Sequence, residues 1–166
     1  RVYIPDGIKS TDQIPTIYVT DGQWYLSEGH FQEILNQEIS NGRIEPIIAV
    51  FIDSRNPDNL SDIRRNKEFF CSEHYINFLT KELVPTIDKN YPTRPDRKDR
   101  VILGMSFGAI NSACFGLLAY PSFEGIAMQS PASDQHVDLM TKLYTKEAKR
   151  PIQIFMSVGT KNDNTA

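Results

Sequence analysis

Short apolar runs alternate with longer amphipathic stretches along the whole chain. Five runs rich in apolar and β-branched residues predict strands, at 16–20, 47–52, 101–105, 125–129 and 152–158. The run 47–52 is apolar throughout, which is typical of a strand buried on both faces of a parallel sheet. Residues 2–4 predict a further short strand at the edge of that sheet.

The segments between these runs carry helical spacing. A stripe of apolar residues predicts a helix over 73–89, and Pro85 within it is expected to kink the helix. Further helices are predicted at 30–40, 107–119 and 137–148, of which 107–119 is apolar nearly all round and is expected to be buried. The polar segment 53–66 is predicted to be a long loop. Strands separated by helices of this length predict βαβ units, and therefore a mostly parallel sheet with helices on both faces.

Composition narrows the class of protein. A chain of 166 residues that is 40% hydrophobic is sufficient for one domain with a hydrophobic core. Its 18 Lys and Arg are nearly balanced by 21 Asp and Glu, which argues against a nucleic-acid partner. No apolar run approaches the roughly 20 residues of a membrane span. No signal-peptide pattern is visible at the start, and the sequence leaves the cellular location open.

The two cysteines, Cys71 and Cys114, both lie in segments predicted to be helical, among apolar neighbours. We expect them to be buried free thiols, although a single disulfide between them stays possible. Histidine, aspartate and glutamate do not recur at the spacing of metal ligands. We therefore expect neither a metal nor another cofactor.

One motif carries chemistry. Residues 104–108 form a G-x-S-x-G sequence that follows an apolar strand and leads directly into the predicted helix at 107–119. Such a strand–serine–helix turn is the nucleophile elbow of serine hydrolases, in which the flanking glycines leave room for a sharp, strained turn. The alternative is a glycine-rich turn with an incidental serine. We predict that Ser106 is a nucleophile.

A serine nucleophile also requires an oxyanion hole. Its first donor is the backbone N–H of the residue after the nucleophile, Phe107. We predict the backbone N–H of Gln23 as the second donor, because the strand at 16–20 ends in Asp21 and Gly22, and a glycine there lets the chain fold back towards the elbow. The alternative is an ordinary Asp-Gly turn.

The substrate pocket is expected above the sheet, beside these turns. Trp24 and Tyr25 could stack on an aromatic acyl group or on a sugar, or they could belong to the core. Arg55, Arg64 and Arg65 could contact an anionic substrate such as a catecholate siderophore, although a solvated charged loop is the favoured interpretation. Arg65 could instead form a structural ion pair with Glu68.

The order of motifs along the chain resembles a family of α/β-hydrolase esterases. The segments that carry the resemblance are YVTDG, AVFID, R-x-x-E-F at 65–69, F-x-x-x-E-L-V-P at 78–85, GMSFGA, QSPA and SVGTKND. The family includes enterochelin esterases, feruloyl and acetylxylan esterases, S-formylglutathione hydrolase and mycolyltransferases, and the chain is most similar to the enterochelin-esterase-like branch. Many relatives carry a second glycine at the position of Ala109. Alanine is small enough that we expect no loss of function from this difference.

The resemblance implies a Ser–acid–His triad in that chain order. Ser106 matches the nucleophile, and Asp163 matches the acid, with a solvated turn aspartate as the alternative for Asp163. The general base of the family lies several tens of residues beyond the acid. None of the three histidines, His30, His74 and His136, falls at that position.

We therefore expect residues 1–166 to form a single α/β-hydrolase domain that lacks its C-terminal strand and helix. The base histidine would come from a missing segment or from a second chain, unless the protein is a non-catalytic relative. The predicted function is hydrolysis of a carboxylic ester, small or carbohydrate-linked, through an acyl-serine intermediate. Acyl transfer to a sugar or another hydroxyl acceptor, and ligand binding without catalysis, are the alternatives.

Overall fold

A six-stranded sheet forms the centre of the computed structural model, which describes residues 1–131 and 133–159. The strands, in chain order, are β1 (Val2–Tyr3), β2 (Thr16–Thr20), β3 (Ile48–Ile52), β4 (Arg55–Asn56), β5 (Asn59–Ile63), β6 (Arg100–Met105), β7 (Gly125–Gln129) and β8 (Gln153–Ser157). The sheet order is β1-β3-β2-β6-β7-β8, and β4 and β5 form a separate hairpin.

All neighbouring strands of the main sheet run parallel except β1, which pairs antiparallel with β3. The predicted mostly parallel sheet and its short edge strand are therefore confirmed. The carboxyl ends of β2, β3, β6, β7 and β8 consequently meet at one edge of the sheet, which is where such sheets place their ligand sites.

Helices cover both faces of the sheet. They are α1 (Gly22–Ser27), α2 (Phe31–Ser40), α3 (Arg65–Glu68), α4 (Glu73–Asn77), α5 (Val84–Asn90), α6 (Phe107–Leu118) and α7 (Asp134–Lys146). The helices α1 and α2 pack on one face, over a core that includes Val19 and Phe51. The opposite core includes Tyr18 and Ile102 and is covered by α4, α5, α6 and α7. Residues 108–117 of α6 are all buried, as predicted.

The helix predicted over 73–89 continues through Pro85 by changing its pitch. A π-helical turn, Phe78–Leu83, joins α4 to α5 immediately before the proline. Proline has no N–H and its ring clashes with the carbonyl four residues earlier, so a wider turn before it relieves both problems.

The segment 53–66 is more ordered than the predicted long loop. It contains the hairpin of β4 and β5 and the beginning of α3. Side chains support the hairpin turn: Asn56 accepts a hydrogen bond from the Asp58 N–H at 3.1 Å, and Asn59 accepts one from the Ser61 N–H at 3.2 Å. Both strands are largely polar, so hydrophobic periodicity could not reveal them.

Cys71 and Cys114 form a disulfide, so the predicted free thiols are wrong and the alternative of a single bridge is correct. Cys71 lies between α3 and α4 rather than in a helix, and its φ of 62° is left-handed. Cys114 is fully buried in α6. The two residues are 43 positions apart, a spacing that carries no information about their contact in space.

The strand β8 pairs with β7 on one side only, as far as the described residues extend. Its apolar side chains and that of the residue directly after it remain in solvent: Ile154, Phe155, Met156 and Val158 are each 52% to 61% exposed. An apolar strand with both faces exposed is unusual, because burial of apolar surface drives folding. In the part of the chain that the structure describes, no helix has the length and apolar character needed to cross a bilayer.

The disulfide is expected to stabilise the fold by restricting the unfolded chain. Closing a loop of 43 residues should contribute about 4 kcal/mol by chain entropy, and measured bridges usually give about 2–4 kcal/mol. The double variant Cys71→Ala/Cys114→Ala should lose this stability in a urea titration. Dithiothreitol should destabilise the wild-type protein by a similar amount and leave the double variant unchanged. Equal sensitivity of both proteins to dithiothreitol would contradict the bridge.

Candidate active site

Ser106 occupies the turn between β6 and α6, with φ 55° and ψ −119°. A residue other than glycine is strained at positive φ, so the surrounding structure must hold it there. The Ser106 N–H donates to the Gln129 carbonyl at 2.9 Å, which fixes the turn to the end of β7. The structure therefore has the strained strand–serine–helix turn that the motif predicts.

The glycines on either side of Ser106 permit a very close approach of β6 to α6. A Cβ on Gly104 would lie 2.1 Å from the Gly108 carbonyl oxygen and 2.7 Å from Thr20 Oγ1. A Cβ on Gly108 would lie 3.1 Å from the same Thr20 oxygen. The Thr20 hydroxyl donates to the Leu103 carbonyl at 3.1 Å. The turn thus has no room for a larger residue at Gly104.

The two predicted oxyanion donors both lie at the beginnings of helices. Phe107 is the first residue of α6, and Gln23 is the second residue of α1, so neither N–H is used within its own helix. Gly22, directly before Gln23, lies so close to β3 that a Cβ there would be 2.7 Å from the backbone of Phe51 and Ile52. The assignment of Phe107 and Gln23 as donors stays a prediction.

A buried carboxylate fixes the turn between β2 and α1. Asp21 is only 4% exposed and has a left-handed backbone, with φ 54°. Its Oδ1 accepts from the Ser54 hydroxyl at 2.6 Å. The side chain of Gln23 donates to that hydroxyl at 2.9 Å and accepts from the Ser54 N–H at 3.2 Å. The turn that carries the Gln23 amide is therefore tied to the end of β3.

Asp21 also carries an ion pair that sequence analysis did not find. Its Oδ2 lies 3.0 Å from the Arg65 guanidinium. Arg65 therefore pairs with Asp21, and the ion pair with Glu68 that the sequence offered as an alternative is not formed, although the structure describes both residues. Burial raises the pKa of Asp21, and the hydrogen bond from Ser54 and the charge of Arg65 only partly offset that effect. The one sequence feature that could have indicated this ion pair is an aspartate in the turn after a buried strand.

Aromatic side chains surround the serine turn. The rings of Phe107 and Phe70 stack at 6.0 Å, and His136 approaches each of them edge-on at 5.5 Å. Phe69, behind them, is almost fully buried. We call Phe70, Phe107 and His136 the aromatic wall.

Of the three histidines, all within the described residues, only His136 has a ring contact with Phe107, the residue after Ser106. Its Nδ1 lies 2.7 Å from Ser133 Oγ. His30 precedes α2, and His74 lies in α4. The structure records no hydrogen bond between a histidine and Ser106 among the described residues. The predicted acid, Asp163, lies outside the residues that the structure describes.

The predicted pocket residues divide between two cavities. Trp24 and Tyr25 line a cavity of about 530 Å³ together with Phe31, Met105 and Gln129. Tyr25 is also part of the core, and its hydroxyl donates to the Gln129 side chain at 2.5 Å. The interpretation of Tyr25 as a core residue therefore holds, and its contact with a substrate stays a prediction. Met105 immediately precedes Ser106, and this cavity therefore adjoins the serine turn.

Arg55 lies elsewhere. It is in the hairpin, paired with Asp53 at 2.7 Å, and it lines a separate cleft of about 460 Å³ with Glu68 and Tyr75. The structure thus does not bring Arg55 into the cavity of Trp24 and Tyr25. Among the described residues, no cluster of three or more His, Cys, Asp or Glu side chains could hold a metal ion.

The parallel sheet, the helices on both faces and the serine turn together define an α/β-hydrolase fold. A family model described as "Putative esterase" matches residues 1–166, and the chain belongs to this esterase family. The resemblance inferred from the motifs is therefore confirmed.

Individual relatives agree with this family. The chain is 27% identical over 166 residues to the uncharacterised protein YjcH of Bacillus subtilis, with 96% of this chain and 65% of YjcH covered. It is 29% identical over 124 residues to an endo-1,4-beta-xylanase/feruloyl esterase of Xylanibacter ruminicola, with coverage of 68% and 16%. The enterobactin esterase of Shigella flexneri, solved in the presence of enterobactin, superposes with a TM-score of 0.77 at 19% identity, covering 92% and 40%. The chain thus spans less than two thirds of the length of these relatives.

We expect Gly104→Ala to be severely destabilising. Its methyl group would meet backbone 2.1 Å away, so the strand or the helix must move, at a cost of roughly 3 kcal/mol or more. Gly7→Ala is a matched control: its Cβ meets nothing within 4 Å, and the cost there is the left-handed backbone alone, about 1–2 kcal/mol. Urea denaturation of both variants measures the difference. Equal losses would show that the close approach at Gly104 does not limit the fold.

The raised pKa of Asp21 predicts a specific pH dependence. The folded protein binds this proton more tightly than the unfolded chain does, so the stabilisation is complete below the ordinary value of 3.8 and is lost as the pH rises through the folded-state pKa. Asp21→Asn removes this titration. The unfolding free energy of the wild type relative to Asp21→Asn should therefore fall as the pH rises above the ordinary value of 3.8. Denaturation curves across this range test it, and a relative free energy that rises with pH would contradict it.

Proposed function

We propose that the protein hydrolyses carboxylic esters through an acyl-enzyme intermediate on Ser106. The observation that carries the proposal is the strained backbone of Ser106 between β6 and α6, because strain of this kind persists where it serves a function. Membership of the esterase family supports ester hydrolysis in general. The enterobactin and feruloyl esterases among the relatives support the same class of reaction.

The first half-reaction is acylation. The Ser106 Oγ attacks the ester carbonyl carbon while its proton passes to a general base, and the carbonyl oxygen becomes an oxyanion. The N–H groups of Phe107 and Gln23 would stabilise that charge, supported by the positive end of α6. The tetrahedral intermediate then collapses, the C–O bond to the alcohol breaks, and the protonated base returns its proton to the leaving alkoxide.

The second half-reaction is deacylation. The same base takes a proton from water, the resulting hydroxide attacks the acyl carbon, and Ser106 is released with its proton restored. The base in this proposal is a histidine oriented by Asp163, in a segment outside residues 1–166 or in a second chain. His136 is the alternative base, and the contact of its ring with the Phe107 ring supports this alternative.

The substrate in this proposal is a small-molecule or carbohydrate-linked ester. The cavity of Trp24 and Tyr25, which Met105 also lines, and the aromatic wall, which includes Phe107, favour an acyl group with a flat ring. A sugar would also stack on such side chains. Arg55 would reach only a part of the substrate that extends into the neighbouring cleft.

A fluorophosphonate probe and p-nitrophenyl acetate test the proposal on the protein expressed from its full coding sequence. We expect the probe to label Ser106, and Ser106→Ala to abolish labelling and to lower turnover by at least about 10³-fold. Ser61→Ala, at an exposed position of β5, is the control and should behave as the wild type. Unlabelled wild-type protein, or labelled Ser106→Ala, would refute the acyl-serine mechanism. A faster release of the acyl group in the presence of a sugar acceptor would instead identify acyl transfer.

A further inference from the structure

The side chain of Arg65 lies between the two halves of the predicted oxyanion hole. The short helix α3 carries it, outside both segments that form the hole. On one side it contacts the turn that leads to Gln23, and on the other it contacts the residue that follows Ser106. The role inferred here rests on the proposed function.

The contact with the first half is an ion pair. The guanidinium lies 3.0 Å from Asp21 Oδ2, and Asp21 directly precedes the helix whose second residue is Gln23. It also lies 5.2 Å from the ring of Trp24, the residue after Gln23. Arg65 therefore contacts the chain on both sides of the predicted donor.

The contact with the second half is a cation–π interaction. The guanidinium lies 5.8 Å from the Phe107 ring and 5.8 Å from the Phe69 ring. The same Phe107 supplies the other predicted donor through its backbone N–H. Gly108, the next residue, also approaches Asp21: a Cβ on it would lie 3.4 Å from Oδ2.

We propose that Arg65 is a positioning residue, which sets the separation of the Gln23 and Phe107 backbone N–H groups by holding Asp21 and the Phe107 ring at the same time. An oxyanion hole acts only if both donors point at the oxygen of the transition state, so a small change in their separation lowers the rate. Substrate binding before reaction depends much less on it.

Arginine has the shape that this role requires. Its planar, delocalised group can pair with a carboxylate through an edge while its faces lie against aromatic rings. Lysine retains the charge but lacks both the fork and the flat face. Arg65→Lys therefore separates a geometric role from a purely electrostatic effect of the cation on the oxyanion.

The test uses p-nitrophenyl acetate and the full-length protein, with rates expressed per active site titrated with the fluorophosphonate. We expect Arg65→Lys to lower kcat by about 10–100-fold and to change KM by less than about threefold. The control is Arg97→Lys. Arg97 is comparably buried, with 24% of its side chain exposed against 21% for Arg65, and it pairs with Glu124 near the opposite end of β6. This variant should lose stability and keep its kcat.

A double-variant cycle tests whether Arg65 acts through Asp21. Because the two residues act as one unit, Asp21→Asn/Arg65→Lys should be no slower than the slower single variant. Additive losses, an unchanged kcat in Arg65→Lys, or an equal loss in Arg97→Lys would overturn the positioning role. Turnover that survives Ser106→Ala would instead refute the proposed function itself, and the two failures are thereby distinguished.

Discussion

The backbone of β6 and the backbone of α6 approach each other so closely at the serine turn that only glycine fits at position 104. The rest of the site depends on this contact. It directs α6 across the buried face of the sheet, forces Ser106 into a strained conformation and places the Phe107 N–H at a helix start. A helix that is apolar on nearly all sides suits this arrangement, since sheet and neighbouring helices cover α6 almost completely.

Much of the fold follows from local sequence. The strands at 16–20 and 125–129 coincide with the structure, and the serine turn was recognisable because its motif, strand and helix are contiguous in the chain. The features that were missed are those in which distant residues meet or in which polar residues form a strand. The disulfide of Cys71 and Cys114 and the pairing of Asp21 with Arg65 join segments more than 40 residues apart, and no periodicity encodes such contacts.

The region around Ser106 combines apolar surroundings with one buried ion pair. A carboxylate removed from water is costly unless it is paired and hydrogen-bonded, and Asp21 has both kinds of partner in Arg65 and Ser54. Ser54 links it in turn to the Gln23 side chain. The Asp21 carboxylate thus fixes the turn after β2 to the segment after β3 and to α3. Without these polar contacts, the position of the turn would be less well defined.

The disulfide has a topological consequence. Residues 71–114 form a covalent ring, and Ser106 lies within it, together with α4, α5 and β6. The chain entering the ring at Cys71 and the chain leaving it at Cys114 are joined by a route that does not pass through the nucleophile. A single peptide bond broken between these cysteines would therefore leave the two halves of the chain covalently linked until the disulfide was reduced.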